Sequence, residues 1–389
     1  MNTQVGRHLA GSGRVVLFGA TGYTGRLTAE SMVRAGLAPV LAGRSSAALT
    51  ELVAELAPYA PINAAPTWQV AEVGDQTSVN ALLTAPADVL VSTVGPFTRL
   101  GAPAITAAIN AGASYVDSTG EPPFVREVFQ TYGVQAHATG ARLLTAFGYD
   151  YVPGNLAGAL ALQRARAMGA VPTRVEIGYF VGGESFGMSS GTKASAAAIM
   201  LAPSFAFQHG GIGTERSARS TSSFNVDGKP HAGLSVGGSE HFALPRFDQS
   251  VQDVGVYLGW AGKATRVASA ASSAISAVAQ VPGLGNLMHR GLRSAVGDAT
   301  GQGPTKRQRD TNTSIAVART FDGVGRPLSR VQVTGPSPYA LTAELLAWAA
   351  AMCLVRPALS GGACGPVDAF GLEALVRGCA DMGLVPVDT

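Results

Sequence analysis

Short apolar runs alternate with helical stretches through the first third of the chain. The run 88–94 is the clearest, because it is largely apolar and stops at the turn 95–97, as expected of a strand buried in a parallel sheet. Similar strand-length runs lie at 14–18, 39–42, 67–70, 114–117 and 142–146. Helical segments follow them at 24–35, 47–56, 77–83, 102–111 and 156–167. This alternation predicts an α/β fold with a doubly wound parallel sheet of the Rossmann type.

The pattern changes after residue 155. Strands are predicted at 173–181, 220–226, 251–258, 312–320 and 329–334, and helices at 193–206, 266–281, 340–354 and 369–382. A chain of 389 residues is too long for one Rossmann unit. We therefore predict a flexible tail over 1–13, a Rossmann domain over 14–150, a second domain of mixed α/β (α+β) structure over 151–338 and C-terminal helices over 339–389.

A glycine-rich turn joins the first strand to the first helix. Its residues are Gly19, Ala20, Thr21, Gly22, Tyr23, Thr24 and Gly25. Gly19 permits a tight turn, Gly22 lets the backbone approach a pyrophosphate, and Gly25 lets the helix pack closely on the strand. The free N–H groups at the start of the helix then bind the anion. Because a strand precedes this turn and a helix and a second strand follow it, the turn predicts a dinucleotide-binding site.

The residues after the second strand indicate which dinucleotide binds. NAD sites carry an acidic residue here, which accepts a hydrogen bond from the ribose 2′-hydroxyl, but this chain has Gly43, Arg44 and Ser45. A guanidinium binds the oxygens of a 2′-phosphate in pairs, whereas a carboxylate repels them. We therefore predict NADPH as the cofactor. The alternative is that Arg44 is an ordinary surface residue at the start of a helix.

The turn at the end of the fourth strand is a further candidate contact with the cofactor. It comprises Thr93, Val94, Gly95, Pro96 and Phe97. A small Gly-Pro turn at the carboxyl end of a parallel strand would let the nicotinamide half lie against the backbone. The sequence equally allows a turn that only ends the strand.

Composition and charge narrow the range of partners. Hydrophobic residues make up 47% and charged residues 14% of the chain, against roughly 25% charged residues in an average soluble domain. This composition fits a hydrophobic substrate, and it fits equally well a general preference for alanine and glycine. The net charge of +3 includes one basic cluster, at 306–309, whereas nucleic-acid binding needs a broader basic surface with aromatic residues. We therefore predict a small-molecule partner and no nucleic acid.

Cysteine spacing and hydropathy predict the cellular compartment in which the protein is found. Cys353, Cys364 and Cys379 lack the close pairing of a zinc or redox motif, so we predict reduced core thiols and no metal site. The start of the chain has no pattern of a secretion signal. No uninterrupted apolar stretch reaches about 18 residues, which predicts no integral membrane segment. These features predict a cytoplasmic location.

Several motifs together resemble the saccharopine dehydrogenase-like family, and within it the trans-acting enoyl reductases of actinobacterial lipid and polyketide pathways. The motifs are 19–25, 42–44, 94–97, 115–121 and 148–153, with a weaker likeness at 190–192 and 361–371. The resemblance implies a Rossmann domain that binds NADP, with Gly120 among the cofactor residues, and C-terminal helices that pack back on it. It also implies that 151–338 serves in substrate binding and in a homodimer. At 148–155 the chain lacks two hydroxyls and a carboxylate of the family pattern, so the resemblance implies the fold and the cofactor more firmly than the substrate.

Residues of the segment 148–155, where the chain departs from the family pattern, are the leading candidates for catalysis. Hydride transfer to an enoyl thioester leaves an enolate that needs hydrogen-bond donors at its oxygen and a proton at its α-carbon. Tyr149 and Tyr151 could supply either, Tyr115 is next, and Asp150 could orient one of them or a water. Each tyrosine could instead be a packing residue with a satisfied hydroxyl, and Asp150 a turn or cap residue. None of the six histidines stands out as a base.

Three functions are compatible with these residues. The first is NADPH-dependent reduction of a C=C bond in a hydrophobic enoyl or polyketide-type intermediate, free or bound to a carrier. The second is a saccharopine-type C–N (imine) reductase, whose substrates carry several carboxylates and would need clustered arginines. The nearby candidates are Arg164, Arg174, Arg216 and Arg219. The third is a non-catalytic nucleotide-binding protein. The low charge of the second domain favours the first.

Overall fold

A seven-stranded parallel sheet organises the first of the two units into which the chain divides. The computed structural model describes residues 13–61, 64–183, 203–259, 303–355 and 361–387. Numbered in chain order, the strands of this sheet are β1 (Val15–Phe18), β2 (Val40–Gly43), β3 (Thr67–Val70), β4 (Val89–Ser92), β5 (Ser114–Asp117), β6 (Arg142–Leu144) and β15 (Gly362–Ala363). Their spatial order is β3-β2-β1-β4-β5-β6-β15, and all neighbours are parallel. This is the Rossmann order with one added strand, which confirms the predicted fold class.

Helices connect the parallel strands, because each strand must start from the same edge of the sheet. The helices of the first 150 residues are α1 (Tyr23–Arg34), α2 (Ser46–Leu56), α3 (Gln76–Asn80), α4 (Phe97–Leu100), α5 (Ala102–Ala111), α6 (Pro122–Glu127) and α7 (Gly133–Thr139). A 3₁₀ turn follows α2 at Ala57–Tyr59, and a π-helical turn joins α6 to α7 at Val128–Tyr132. Three later helices are α11 (Pro338–Val355), α12 (Pro366–Phe370) and α13 (Leu372–Asp381).

The strands of the first sheet are buried because their residues are almost all apolar. Every residue of β1, β2 and β4 is buried, and Leu17, Leu41 and Leu90 are wholly inaccessible to solvent. Each buried leucine stabilises the fold by roughly 1.5–3 kcal/mol relative to an exposed one. The sheet is therefore a rigid base for the loops that leave its carboxyl edge.

The second unit is built on a mixed sheet. Its strands are β7 (Arg174–Gly182), β8 (Pro203–Gln208), β9 (Gly211–Arg216), β10 (Thr221–Val226), β11 (Lys229–Ser235), β12 (Asp253–Leu258), β13 (Thr313–Phe321), β14 (Pro327–Gly335) and β16 (Val385–Val387), and its helices are α8 (Val152–Ala167), α9 (Glu240–Phe247) and α10 (Lys306–Thr311). The strand order is β10-β11-β12-β7-β13-β14-β16, with β8 on β12 and β9 on β8. The pair β12–β7 is parallel, and the other described pairs are antiparallel. A second, mixed α/β domain is thereby confirmed.

Helix α8 covers one face of this sheet and an aromatic cluster lies on the other. The helix contacts β7, β13 and β14, and the Tyr179 hydroxyl accepts a hydrogen bond from the Gly154 amide of α8 at 2.9 Å. Because side chains alternate along a strand, Phe180 points to the opposite face. There it packs with Phe224, Val226, Ile315 and Val317. The second unit therefore has its own hydrophobic core.

The chain passes between the two units several times. The described residues of the first unit are in 13–119, 127–150 and 339–382, and those of the second in 120–126, 151–338 and 383–387. Segments 120–126 and 383–387 thus group with the second unit, whereas the sequence assigned them to the Rossmann domain and the C-terminal helices. The last segment does so because β16 pairs with β14. The roles predicted for the two domains stay predictions.

Several predicted element boundaries are wrong for local reasons. Helix α8 begins at Val152 instead of 156, because Pro153 occupies its first turn, where a missing N–H costs nothing. Residues 203–206, predicted as the end of a helix, begin β8 and pair with β9. The sequence pattern also missed β9, β11 and α9. The predicted helical residues 193–202 and 266–281 and the motif 190–192 lie outside the described residues.

Helix α11 is, among the described helices, the one long and apolar enough to cross a membrane, with a mean hydropathy of 1.5. Its apolar residues are used in the core of the first unit. Leu341, Leu345 and Leu346 are wholly buried, and the Trp348 ring stacks on Phe147. A helix that is buried on most sides is expected to be apolar all round.

His241 is a buried, neutral residue of the second unit. The Phe207 amide donates to its Nδ1 at 3.2 Å, so Nε2 carries the proton and donates to the Val236 carbonyl at 3.2 Å. Burial lowers the pKa of His241 to about 4. The ring therefore serves as an uncharged link between a strand and a loop.

Stability should fall in acid through His241. Its pKa is about 4 in the folded protein and about 6.5 in the unfolded chain. The unfolded state therefore binds the proton first, and the contribution of neutral His241 is present above about pH 6.5 and lost towards about pH 4. His241→Gln should show a loss between about pH 7 and pH 5 that is smaller than that of the wild type by about 2 kcal/mol. Urea unfolding at both pH values measures this, and equal pH dependence would contradict it.

Candidate active site

Most predicted cofactor residues lie at one edge of the parallel sheet. Because the strands share one direction, the loops after β1, β2, β4, β5 and β6 leave from the same edge. Phe18, the last residue of β1, lies beside Ala42 of β2 and Ser92 of β4. The order of the strands reverses between β1 and β4, which is where open α/β sheets bind nucleotides. The structure thus brings 19–25, 43–45 and 93–97 together.

The glycine turn has the backbone that an anion site requires. Gly19 has a φ of +88°, and its amide donates to the Ala42 carbonyl at 2.9 Å. Gly22 precedes α1 and donates to the Gly19 carbonyl at 3.0 Å. No side chain of the described residues caps α1, which leaves the amides of its first turn for a ligand oxygen.

Gly22 and Gly25 serve different needs. A Cβ at Gly25 would lie 2.1 Å from the Gly19 carbonyl oxygen, so glycine is required for α1 to start against β1. A Cβ at Gly22 would meet, among the described residues, this oxygen alone, at 3.3 Å. Gly22 is exposed, and its Cα faces open space that a phosphate group can enter. Close packing and ligand approach therefore depend on separate glycines.

Arg44 is exposed directly after β2. The neighbouring Ser45 hydroxyl caps α2 by accepting from the Ala48 amide at 3.3 Å. Within the part of the chain that the structure describes, the Arg44 guanidinium has no hydrogen bond or ion pair. A guanidinium without a partner beside a hydroxyl suits a phosphate monoester.

Thr93 ties the turn after β4 to the glycine turn. Its hydroxyl donates to the Gly19 carbonyl at 3.1 Å, and a Cβ on Gly19 would lie 2.9 Å from Val94 Cγ2. The Gly95–Pro96 peptide is cis, and Phe97 is buried at the start of α4. The turn therefore both ends β4 and contacts the glycine turn 19–25, which together with the first-turn amides of α1 is called the cradle below. Both predicted roles of the turn 93–97, a contact with the cofactor and a simple end to the strand, stay open.

Asp117 holds the loop that follows β6. Its carboxylate accepts from the Ala146 amide at 2.9 Å and from the Thr145 hydroxyl at 2.8 Å, and its carbonyl accepts from the Phe147 amide at 2.7 Å. Ala146 has a φ of +57°, a conformation that costs a residue with a Cβ roughly 1–2 kcal/mol. The hydrogen bonds of Asp117 therefore maintain a strained turn immediately before 148–150.

Burial and hydrogen bonding act in opposite directions on Asp117. Burial raises its pKa to about 6, although hydrogen bonds from Ala146, Thr119 and Thr145 lower it. The Tyr115 side chain is wholly buried next to the Asp117 carboxylate. Burial, and then the Asp117 charge, raise the pKa of Tyr115 well above its ordinary value. In this conformation Tyr115 is a neighbour of Asp117 that a substrate does not reach, and its catalytic role stays a prediction.

Tyr149 and Asp150 follow the strained turn. Tyr149 is buried, and its amide donates to the Thr342 hydroxyl at 3.0 Å. Oδ1 of Asp150 is shielded from solvent and has no hydrogen-bond partner among the described residues. Burial raises the pKa of Asp150 to about 7. A carboxyl that holds or releases a proton near neutral pH is suited to general acid catalysis.

Tyr151 and Gly120 belong to the second unit. Tyr151 is wholly buried, its hydroxyl donates to the Gly120 carbonyl at 3.4 Å, and its ring meets Tyr179 edge-on at 5.7 Å. These contacts fit the alternative of a packing residue with a satisfied hydroxyl. The catalytic role of Tyr151 and the cofactor contact of Gly120 stay predictions.

Three residues that shape the loop were not predicted as part of the site: Asp117, Thr145 and Thr342. A signal for Asp117 was available, because a carboxylate at the end of a buried strand is costly unless it is hydrogen bonded. No local pattern marks Thr342, since its partner Tyr149 is 193 residues away in the sequence. Among the described residues, no group of three or more His, Cys, Asp or Glu could hold a metal ion.

Substitution of Gly22 and Gly25 should separate ligand binding from folding. Gly25→Ala forces a Cβ to within 2.1 Å of the Gly19 oxygen, so it should lower the free energy of unfolding by about 1–3 kcal/mol or more. Gly22→Ala should fold normally but bind a dinucleotide at least about 10-fold more weakly. Thermal unfolding and fluorescence titration measure the two effects. Unchanged dinucleotide binding by Gly22→Ala would show that the cradle lies elsewhere.

Comparisons with known proteins agree on the nucleotide domain. Residues 15–144 match the family described as the saccharopine dehydrogenase NADP binding domain. A putative trans-acting enoyl reductase of Mycobacterium tuberculosis is 40% identical over 183 residues, which are 44% of this chain and 42% of that protein. A trans-acting enoyl reductase of Mycobacterium bovis is 40% identical over 144 residues, 36% of this chain and 34% of the relative. The match thus spans less than half the length of these curated relatives.

One solved structure extends the likeness in fold to nearly the whole chain. Apo saccharopine dehydrogenase (L-Glu forming) from Saccharomyces cerevisiae covers 97% of this chain and 99% of its own, with a TM-score of 0.58 and 12% identity. At this identity the likeness concerns the fold alone. The family match confirms the resemblance seen in the motifs and the predicted use of NADPH. Residues 15–144 therefore form an NADP-binding domain of the saccharopine dehydrogenase family.

Proposed function

We propose that this chain is an NADPH-dependent oxidoreductase that reduces a C=C bond of a hydrophobic enoyl or polyketide-type intermediate. The observation that carries the proposal is Oδ1 of Asp150, which is shielded from solvent and lacks a hydrogen-bond partner among the described residues. It lies in the loop after β6, at the same sheet edge as the NADP cradle. A carboxyl in such an environment can hold a proton at neutral pH and release it. The names of the relatives at 40% identity support a C=C substrate.

The residues of the first unit fit NADPH. The open side of Gly22 and the first-turn amides of α1 would receive the pyrophosphate. Arg44 and Ser45 would bind the 2′-phosphate. The turn 93–97 would lie against the nicotinamide half. NADPH, when bound, supplies the hydride that forms the new C–H bond at the β-carbon of the substrate.

Asp150 supplies the proton that the reduction also needs. After hydride addition, the electron pair of the C=C bond lies on the α-carbon and the carbonyl oxygen as an enolate. Protonated Asp150 gives its proton to the α-carbon, which completes the saturated product and leaves a carboxylate. Water then returns a proton to Asp150. A pKa of about 7 makes both transfers possible at neutral pH.

Other residues of the loop position this chemistry. Tyr149, the residue before Asp150, is the proposed hydrogen-bond donor to the enolate oxygen, because a phenol can donate to a developing negative charge. Asp117 fixes the turn at Ala146, so it acts on the reaction through the placement of the loop. The substrate is a small hydrophobic molecule, free or bound to a carrier. A homodimer and a cytoplasmic location stay predictions.

The saccharopine-type alternative gains less support from the second unit. Its candidate arginines already have partners: Arg164 donates to the Arg330 carbonyl at 3.0 Å, Arg174 pairs with Glu176 at 3.7 Å, Arg216 donates to the Ala218 carbonyl at 3.4 Å, and Arg219 pairs with Glu215 at 3.5 Å. A substrate with several carboxylates would have to displace these contacts. Imine reduction is therefore the alternative reaction against which C=C reduction is tested.

Arg44→Ala should weaken NADPH binding by roughly 10- to 100-fold, because a charge-assisted hydrogen bond contributes about 1.5–3 kcal/mol. NADH lacks the 2′-phosphate and should bind the variant as it binds the wild type. Arg34→Ala is a matched control, since Arg34 is an exposed arginine of the same unit that pairs with Glu30. Fluorescence titrations give the dissociation constants. Equal losses for both nucleotides would contradict the role of Arg44.

Asp150→Asn should lower kcat for an enoyl thioester by at least about 100-fold, because an amide has no proton to give. The wild-type rate should fall as the pH rises through about 7, where Asp150 loses its proton, and the variant should lack this step. Glu344→Gln is the matched control, since burial also raises the pKa of this half-buried carboxyl. A wild-type pH profile in the variant would remove Asp150 from the mechanism.

The reaction class is tested by NADPH consumption with 2-enoyl thioesters of increasing chain length, and in parallel with amino acid and keto acid pairs. We expect consumption with the thioesters alone. Consumption only in the second arm would replace C=C reduction by imine reduction. Tight NADPH binding without turnover in either arm would favour the non-catalytic alternative.

A further inference from the structure

Helix α11 contacts the cofactor cradle through its first turn. The Tyr339 ring meets the Tyr23 ring edge-on, with the centroids 5.2 Å apart and the planes at 86°. Tyr23 is the first residue of α1, directly after Gly22. A residue far along the chain thus restrains the start of the helix whose amides face the ligand.

The same helix contacts the loop that carries Asp150. The Thr342 hydroxyl accepts from the Tyr149 amide at 3.0 Å. Gly148 lies so close to Thr342 that a Cβ there would be 2.9 Å from Thr342 Cγ2. The hydroxyl and the methyl group of one side chain therefore fix two successive residues of the loop. Asp117 restrains the start of this loop through its hydrogen bonds with Thr145 and Ala146, and Thr342 restrains its middle at 148–149.

These two contacts lie on one face of a rigid helix. Tyr339 and Thr342 are three positions apart, so they are neighbours on the helix surface. Further along α11, Trp348 stacks on Phe147 with centroids 6.2 Å apart, and a Cβ on Gly378 would lie 2.4 Å from the Trp348 ring. Close packing leaves α11 little freedom to shift. The helix therefore holds the cradle and the loop at a fixed spacing.

We propose that Tyr339 and Thr342 are positioning residues that couple occupancy of the NADP cradle to the placement of Asp150. NADPH that binds the amides of α1 further restricts the motion of Tyr23, and the Tyr23–Tyr339 ring contact passes this restraint to the first turn of α11. Thr342, one turn along, then holds the Tyr149 amide and so sets the direction of Asp150. The role of Asp150 rests on the proposed function, but the coupling is measurable without turnover.

Tyr339→Leu tests the contact with the cradle. It removes the aromatic edge that restrains Tyr23, so the dissociation constant of NADPH should rise about 5-fold. Tyr339→Phe keeps the ring and should bind NADPH as the wild type does. Equal binding by all three proteins would overturn the part of the proposal that concerns the cradle.

Thr342→Val tests the contact with the loop. It keeps the shape beside Gly148 and removes the acceptor of the Tyr149 amide. We expect NADPH binding within about 2-fold of the wild type, a kcat about 10-fold lower, and recovery in Thr342→Ser. Cys353→Ala is the matched control, because it alters a buried residue of α11 far from both contacts. A loss of kcat in the control equal to that of Thr342→Val would indicate a merely structural effect and overturn the proposal.

Amide hydrogen exchange measures the coupling itself. Saturating NADPH should slow exchange over 145–151 in the wild type and in Tyr339→Phe, and it should do so less in Tyr339→Leu and Thr342→Val. Equal protection in the four proteins would overturn the coupling. If the wild type fails to reduce any enoyl thioester, the proposed function is rejected, whereas the exchange result still decides whether the cradle and the loop are coupled.

Discussion

The carbonyl oxygen of Gly19 is the point on which the nucleotide site depends. It accepts hydrogen bonds from the Gly22 amide at 3.0 Å and the Thr93 hydroxyl at 3.1 Å, and Gly25 packs against it without a side chain. One backbone oxygen thus joins the turn, the fourth strand and the first helix. The amides of α1 consequently have a fixed direction before any ligand arrives, which reduces the entropy lost on binding.

The parallel sheet and the cradle could be predicted because their signals are local. Strand β4 is one apolar run, and burial on both faces is the reason that such runs are apolar. The glycine spacing reflects close approaches within a single strand–turn–helix unit, and Arg44 follows β2 directly. Each of these features involves residues that are near in sequence, so the sequence alone predicts them.

The parts of the fold and of the site that could not be predicted depend on contacts between segments that are distant along the chain. The sequence places Tyr151 in a loop before a helix predicted at 156, but α8 starts at Val152 and the Tyr151 ring is buried next to Tyr179. Thr342 acquires its role only when α11 lies beside the loop after β6. The strand β11 was missed although Asp227 and Gly228, with positive φ at both residues, form the type of two-residue turn that closes hairpins. The carboxyl of Asp150 is visible in the sequence but its burial is not, and burial is what raises its pKa.

The first unit is completed by a late part of the polypeptide. Phe147 has its stacking partner in Trp348, and β6 has its outer neighbour in β15, so both stay uncovered on a nascent chain until the intervening segment 151–338 has been made. At a synthesis rate of roughly 5–20 residues per second, this interval lasts roughly 10–40 s. During that time the aromatic side chain and an open strand edge are available for wrong pairings. The nucleotide-binding unit therefore reaches its final packing only after α11 has been made and has docked on Phe147.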